Sequence, residues 1–183
     1  MIHKTAEVQT EHVGKNTQIW QYTVVLKGAK IGSNCNINCH CFIENDVVIG
    51  DNVTVKSGVY LWDGIEIDDD VFIGPGASFV NDLHVRSKQY PKQHLGPKLG
   101  RGASIGANAT IIGDIKIGKY ALVGAGAVVT KDVKPYATIV GNPGKHIGYV
   151  TRDGISLTLD FKEKNGPRSF FFNELDELIE RLF

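Results

Sequence analysis

The chain is 183 residues long, 42% of them hydrophobic, with lysines and arginines balancing aspartates and glutamates at 20 each. This length and apolar fraction predict one soluble domain with a modest tail, and no apolar run approaches the ~18 residues of a membrane span. Charge neutrality gives no reason to expect nucleic acid or a membrane as a partner. The first residues, MIHKTAEV, lack the apolar core of a signal peptide, so a cytoplasmic protein is expected.

From Val13 the chain places an aliphatic or Phe residue at every sixth position: Val13, Ile19, Val25, Ile31, Ile37, Ile43, Ile49, Val55, Leu61, Ile67, Ile73 and Phe79. A helix recurs every three to four residues and a simple strand every two, so a period of six fits short strands turned at regular corners. A small residue follows four positions after most of these, as at Thr17, Thr23, Ala29, Cys35, Cys41 and Ala77. Glycine often follows at once, as at Gly14, Gly32, Gly50 and Gly74, where a corner is expected to need backbone freedom. Units this short bury no face alone and must stack.

Cys35, Cys39 and Cys41 beside His40 have the look of a metal site. Two of the three occupy the small inward position, where cysteine is a compact hydrophobe, so no metal is expected. Between 80 and 100 the register vanishes in VNDLHVRSKQYPKQHLGPKLG, a loop whose length and polar density mark it as functional. The period then resumes at Ile105, Ile111, Ile117, Val123 and Val129, displaced by two residues. The run GAGAVV from Gly124 lies inside that register and is a coil rather than a dinucleotide-binding turn. Residues 1–150 form the expected repeat domain and 151–183 a C-terminal extension. In the extension, Ile155 to Phe161 reads as a strand with Arg168 to Phe172 as its hairpin partner. Leu175, Leu178, Ile179 and Leu182 read as one face of a short helix capped by Asn173.

The hexads resemble the hexapeptide-repeat family of left-handed parallel β-helices, over roughly residues 13–134. The resemblance implies an all-β prism of about five to six coils at ~4.8 Å each, with a protruding loop and a short hairpin or helix tail. Family members are mostly acyltransferases using acetyl-CoA, and usually homotrimers with sites between subunits. The stretches GAGAVVTKDV and VGNPGK resemble N-acetyltransferases of amino sugars linked to a nucleoside diphosphate, and within that group the phrases IEND, KSG, LWDG and FVND with RSK are most similar to enzymes acting on dTDP-3-amino-3,6-dideoxyhexoses. Products of this kind feed O-antigen or S-layer glycan synthesis. A UDP-linked amino sugar is the alternative acceptor.

By that resemblance Asn81 orients the amine and Asp82 bonds the amine or a hydroxyl, against the plainer alternative of a loop-nucleating Asx turn. Arg86 grips the diphosphate or is solvated surface, and Trp62 and Asp63 flank the nucleotide or sugar, or pack against a subunit. His84 and His40 are the candidate bases, or merely orient substrate. Backbone N–H groups of Gly124 or Ala125 would stabilise the oxyanion. The coenzyme would lie along Ala103, Gly106, Ala121, Gly124 and Ala125. Its nucleotide end would meet Thr130, Lys131 and the stretch Gly141, Asn142 and Lys145. Two rivals share the coil: a γ-class carbonic anhydrase, for which the histidines are poorly placed, and a noncatalytic scaffold.

Overall fold

The computed structural model describes residues 1–181. Two- to four-residue strands stack in parallel from Glu7–Val8 to Ala137–Val140 around three faces. The first face turns Val25, Ile43, Leu61, Phe79, Ile111 and Val129 inward, the second Ile31, Ile49, Ile67, Leu99 and Ile117, and the third Ile19, Ile37, Val55, Ile73, Ile105, Val123 and Ile139. Successive coils pair residues eighteen apart, as Ile31 with Ile49 and Ile19 with Ile37. This is the architecture expected of the hexapeptide prism. The third face carries seven rungs rather than five or six, because pairing continues past residue 134 through Ala137–Val140.

The core is a column of inward side chains. Ile19, Ile37, Ile43, Leu61, Ile73 and Ile105 are fully buried. The small position beside them is filled in register: the Thr17 and Thr23 hydroxyls donate to the Gly32 and Asn38 carbonyls at 2.7 Å. Cys35 and Cys41 lie one coil above, their thiols against the Gly50 and Lys56 carbonyls at 3.1 and 3.3 Å. Burial pushes the Cys41 thiol up to about 11 and raises Cys35 as well, so both remain protonated, as core residues.

The glycines next to the aliphatic positions serve packing rather than rotation. At Gly32 and Gly106 φ is ordinary, but an added Cβ would lie 2.4 Å from the next coil, against Gly50 O and Ala125 N respectively. The left-handed residue of each corner comes two positions later, at Asn16, Asn34, His40, Asn52, Gly58, Gly64 and Asn108 among others, where Asn and Gly tolerate positive φ.

The loop explains the shift of phase. Ile67 pairs with Leu99, 32 residues on instead of 18, so one coil holds fourteen extra residues, two hexads and two more. Leu99 is buried and in register, so the excursion is shorter than 80–100 and ends at Pro97. The first face also parts at this level, into one sheet ending at Tyr60–Leu61 and another beginning at Ser78–Val80. Its inward residue there is Phe79, the one aromatic in the inward series.

Among the described residues the tail folds back without a helix. Lys145–Val150 pairs antiparallel with Ala137–Val140 and with Ser156–Leu157. The expected partnership of 155–161 with 168–172 survives only as the Phe170 N–H on the Phe161 carbonyl (2.9 Å) and isolated bridges. Phe170–Phe172 pairs instead with Leu178–Glu180. Asn173 builds the turn between them, its Oδ1 accepting from Leu175 and Glu177 N–H at 3.0 and 2.8 Å. Leu182, the last residue of the expected helical face, lies outside the described residues. Arg152 fastens the tail to the last coil: its guanidinium sits 4.4 Å from the Tyr120 ring centroid, donates to Tyr136 Oη at 3.2 Å and pairs with Glu177 at 2.8 Å.

Candidate active site

The loop leaves the corner between the first and second faces, and its two ends are seated differently. At the start, Asn81 Nδ2 donates to the Asp63 carbonyl of the coil below at 2.9 Å. That bond orients the amide and leaves Oδ1 as an acceptor. Asp82 Oδ1 accepts from the His84 N–H at 2.9 Å, which is the Asx turn; its second oxygen has no partner among the described residues. At the return, Gly96 and Pro97 are buried against Gly64, where an added Cβ would lie 2.6 Å from His94 O. The glycine of LWDG is therefore the seat of the closing loop.

Between these ends lies a cavity of ≈ 180 Å³ whose polar wall is Asn81, Asp82, His84, Gln93 and Asp114. Asp114 arrives from the next coil up, where Val80 pairs with Ile112 and the Gly113 N–H bonds the Val80 carbonyl at 2.9 Å. Leu83 closes the cavity over Gly113, within 2.4 Å of where a Cβ would stand. Asp114 stands out in no sequence pattern; its only signal is that stacking brings residue 114 beside residue 82.

The other candidates divide between corners. Asp63 is engaged structurally: its Oδ1 accepts from the Asp46 N–H at 2.6 Å and its own N–H bonds Glu44 at 2.7 Å. Trp62 sits one coil below Asn81 and joins an aromatic cluster, its ring 5.8 Å from Phe42 and 5.9 Å from Tyr60. Arg86 is exposed on the loop, donating only to the Val85 carbonyl at 3.1 Å. His40 lies across the first face, at the corner with the third, stacked on Tyr22 at 5.1 Å. Within one chain it is not assembled with Asn81.

Gly106, Gly124, Ala125, Gly141 and Asn142 stack in the same corner column as His40, several coils higher, and form a seam almost without side chains. Lys145 stands beside it, paired with Val140. The Gly124 N–H is already bonded to the Ile139 carbonyl at 2.7 Å; the Ala125 N–H has no acceptor among the described residues and is the available donor. Ala103 and Ala121 are wholly buried in the core, with their amides bonded to the Gly100 and Gly118 carbonyls at 3.1 Å. Thr130 and Lys131 are exposed on the Asn81 corner, one coil above Asp114.

A family model described as bacterial transferase hexapeptide (six repeats) matches residues 12–45, 46–80 and 96–131. The chain belongs to this hexapeptide transferase family. The interval that the model omits is the loop just described. Over 149 residues, 81% of this chain and 78% of the relative, it is 54% identical to a dTDP-3-amino-3,6-dideoxy-alpha-D-galactopyranose 3-N-acetyltransferase of Aneurinibacillus thermoaerophilus. It is 52% identical over 79 residues, 43% of this chain, to a probable serine acetyltransferase 2 of rice (Oryza sativa subsp. japonica). The chain spans 21% of that protein, as it does of serine acetyltransferase 4 of Arabidopsis thaliana. Among solved structures, a UDP-N-acetylglucosamine acyltransferase from Bacteroides fragilis superposes with a TM-score of 0.66 at 20% identity, over 81% of this chain and 60% of its own. An N-acyltransferase from Bacillus cereus, solved with dTDP and coenzyme A, gives 0.57 at 22% identity over 83% and 81%. At those identities the superpositions speak for the prism alone.

As a hexapeptide transferase the chain offers two sets of groups on opposite edges of the upper first face. One is a cavity walled largely by Leu83, Pro91 and Leu95 that presents two carboxylates and an amide acceptor, and the other is a bare backbone seam with a free N–H. Between them the outward residues are Ser78, Thr110 and Val128, small enough for a substrate to lie across.

Proposed function

We propose that the protein transfers the acetyl group of acetyl-CoA to the 3-amino group of a dTDP-3-amino-3,6-dideoxyhexose. The observation that carries this reading is 54% identity to an enzyme of that activity over 78% of its length, with the carboxylates and amide of the loop cavity in support. The amine lone pair attacks the thioester carbonyl, a C–N bond forms, the C–S bond breaks with its electron pair leaving on sulfur, and the amine proton passes to solvent or to the departing thiolate. An amine titrating near ~8 is already about one-tenth neutral at pH 7, so no strong base is needed. What remains is placement at ~3–3.5 Å and a donor for the oxyanion.

In this scheme Asn81 Oδ1 accepts an amine hydrogen, and Asp82 and Asp114 draw the ammonium into the cavity. The Ala125 N–H faces the carbonyl oxygen. The coenzyme runs along the glycine seam with Lys145 toward its phosphates, Lys131 reaches them only from the loop corner of a neighbouring subunit, and Arg86 swings to the sugar diphosphate. Because the two sets stand at different corners, we further propose a homotrimer in which the seam of one subunit flanks the loop of the next. No helix among the described residues is long and apolar enough to cross a membrane, and we assign the reaction to the cytoplasm, where acetyl-CoA is available.

The test is thiol release from acetyl-CoA against dTDP- and UDP-linked 3-amino and 4-amino sugars. Turnover is expected with a dTDP-3-amino sugar. Silence across the panel with acetyl-CoA still bound would discard the acceptor, and silence without binding would favour a scaffold.

A further inference from the structure

Below the loop cavity the first face changes character. Phe42, Tyr60 and Trp62 line its outer surface, Tyr22 and His40 form the far edge, and together they floor a hollow of ≈ 440 Å³. Tyr22 is 60% and Tyr60 49% exposed, a costly arrangement in water unless something covers these rings. Neither the Trp62 indole N–H nor the His40 ring has a hydrogen-bond partner among the described residues, so polar edges remain available around the ring faces.

We infer that this aromatic floor is the seat of the nucleobase of the sugar nucleotide, an inference that rests on the proposed function. Its place follows from the amine site. Asn81 is bonded to the carbonyl of Asp63, the residue after Trp62, so floor and cavity are continuous. Trp62 and Tyr60 lie one coil below Asn81, Phe42 and His40 two, and Tyr22 three. At ~4.8 Å per coil the floor spans on the order of 5–15 Å from the amine, the interval that a hexose, a diphosphate and a deoxyribose occupy between amine and base. The coils above are taken by the glycine seam, so the nucleotide half has only this direction to run. A planar base has two π-faces for Tyr60 and Phe42, and its carbonyl oxygens match the free indole N–H.

Equilibrium binding of dTDP and of inorganic pyrophosphate, which has no base, separates the possibilities. Tyr60→Ala and Phe42→Ala should each weaken dTDP by about tenfold, raise KM for the sugar nucleotide to match, and leave pyrophosphate binding, kcat and KM for acetyl-CoA in place. Tyr60→Phe, which keeps the ring face, should bind dTDP as the unaltered protein does. Unchanged dTDP affinity in both alanine variants would overturn the inference, as would failure of the unaltered protein to bind dTDP. Unchanged affinity with a fall in assembly mass by sedimentation would identify the floor as a contact between copies. Loss of the transferase reading itself would appear elsewhere, as no thiol release from the unaltered protein with any amino sugar.

Discussion

The coil and the loop use their backbones in opposite ways. In the coil, amide after amide meets a carbonyl one turn above: Gln18 on Cys35, Trp20 on Ile37, Lys30 on Val47 and Gly32 on Ile49, all within 2.8–3.0 Å. Between Asn81 and Pro97 one backbone pair closes within the loop, the Gln89 N–H on the Arg86 carbonyl at 3.0 Å, and residues 83–90 are exposed. The coil is therefore a fixed support, and the loop stands on it as a segment with few backbone bonds of its own. What connects them is a few contacts at the root: Asn81 on Asp63, Leu83 on Gly113, and the return strand on Gly64.

If that division holds, damage to the coil and damage to the root have different signatures. Leu61→Ala removes a fully buried side chain and should cost about 2–5 kcal/mol, read from the denaturant midpoint. Since each coil is stabilised only by its neighbours, the loss should spread through the prism as one transition. Separate transitions for lower and upper coils would break the picture of a single rigid support. Asn81→Ala should do the reverse. It removes one partly exposed hydrogen bond, about 1 kcal/mol of stability, but deletes the Oδ1 proposed to hold the amine in place and should lower kcat about hundredfold. His84→Ala, whose side chain is exposed at the cavity mouth, should change kcat far less. Collapse of turnover in His84→Ala with the fold intact would transfer the base role to that histidine.

The prism is legible in sequence because one side chain per hexad faces one core, and the period survives every substitution within the apolar set. Leu99 is on the phase of Ile105 but stands alone beside Pro97 and Gly100, so repetition offers no support there, and only pairing with Ile67 reveals it. Asn81 and Asp82 are legible through the FVND phrase. Asp114 is not, because its neighbours are made by stacking across the extra fourteen residues. The aromatic floor has a signal in the eighteen-residue spacing of Phe42 and Tyr60, three hexads that return a residue to the same face. The tail is ambiguous for a different reason. Leu175, Leu178 and Ile179 suit one helical face, and Asn173 suits a helix cap or a tight turn. Pairing with Phe170–Phe172 decides for the hairpin, leaving Leu175 73% exposed at its tip.

Acid should separate the tail from the coil with the smallest expected effect. The inward rungs of the coil are aliphatic, and carboxylates such as Asp51, Asp63 and Asp69 only brace its corners by accepting backbone N–H groups, whereas the tail is held mainly by carboxylates lowered from their usual range. Glu177 is held below the usual carboxylate range by Asn173 and Arg152, and Glu163 by Arg168. Thr158 and Lys162 lower Asp160, and the Thr151 hydroxyl lowers Asp153. A carboxylate lowered in the folded state adds stability that is complete above its unfolded value and disappears as pH falls through the folded value. Asp153 and Asp160 are exposed and Glu163 and Glu177 are partly covered at the surface, so each contribution is small and screened by salt. Below about pH 4, protection factors for the Phe170–Phe172 amides should fall while those of the rungs from Ile19 to Ile73 persist, and the gap should narrow in high salt. Simultaneous loss in both regions would mean that the Arg152 fastening makes the tail an integral part of the last coil, with acid acting on the whole rather than on the clasp.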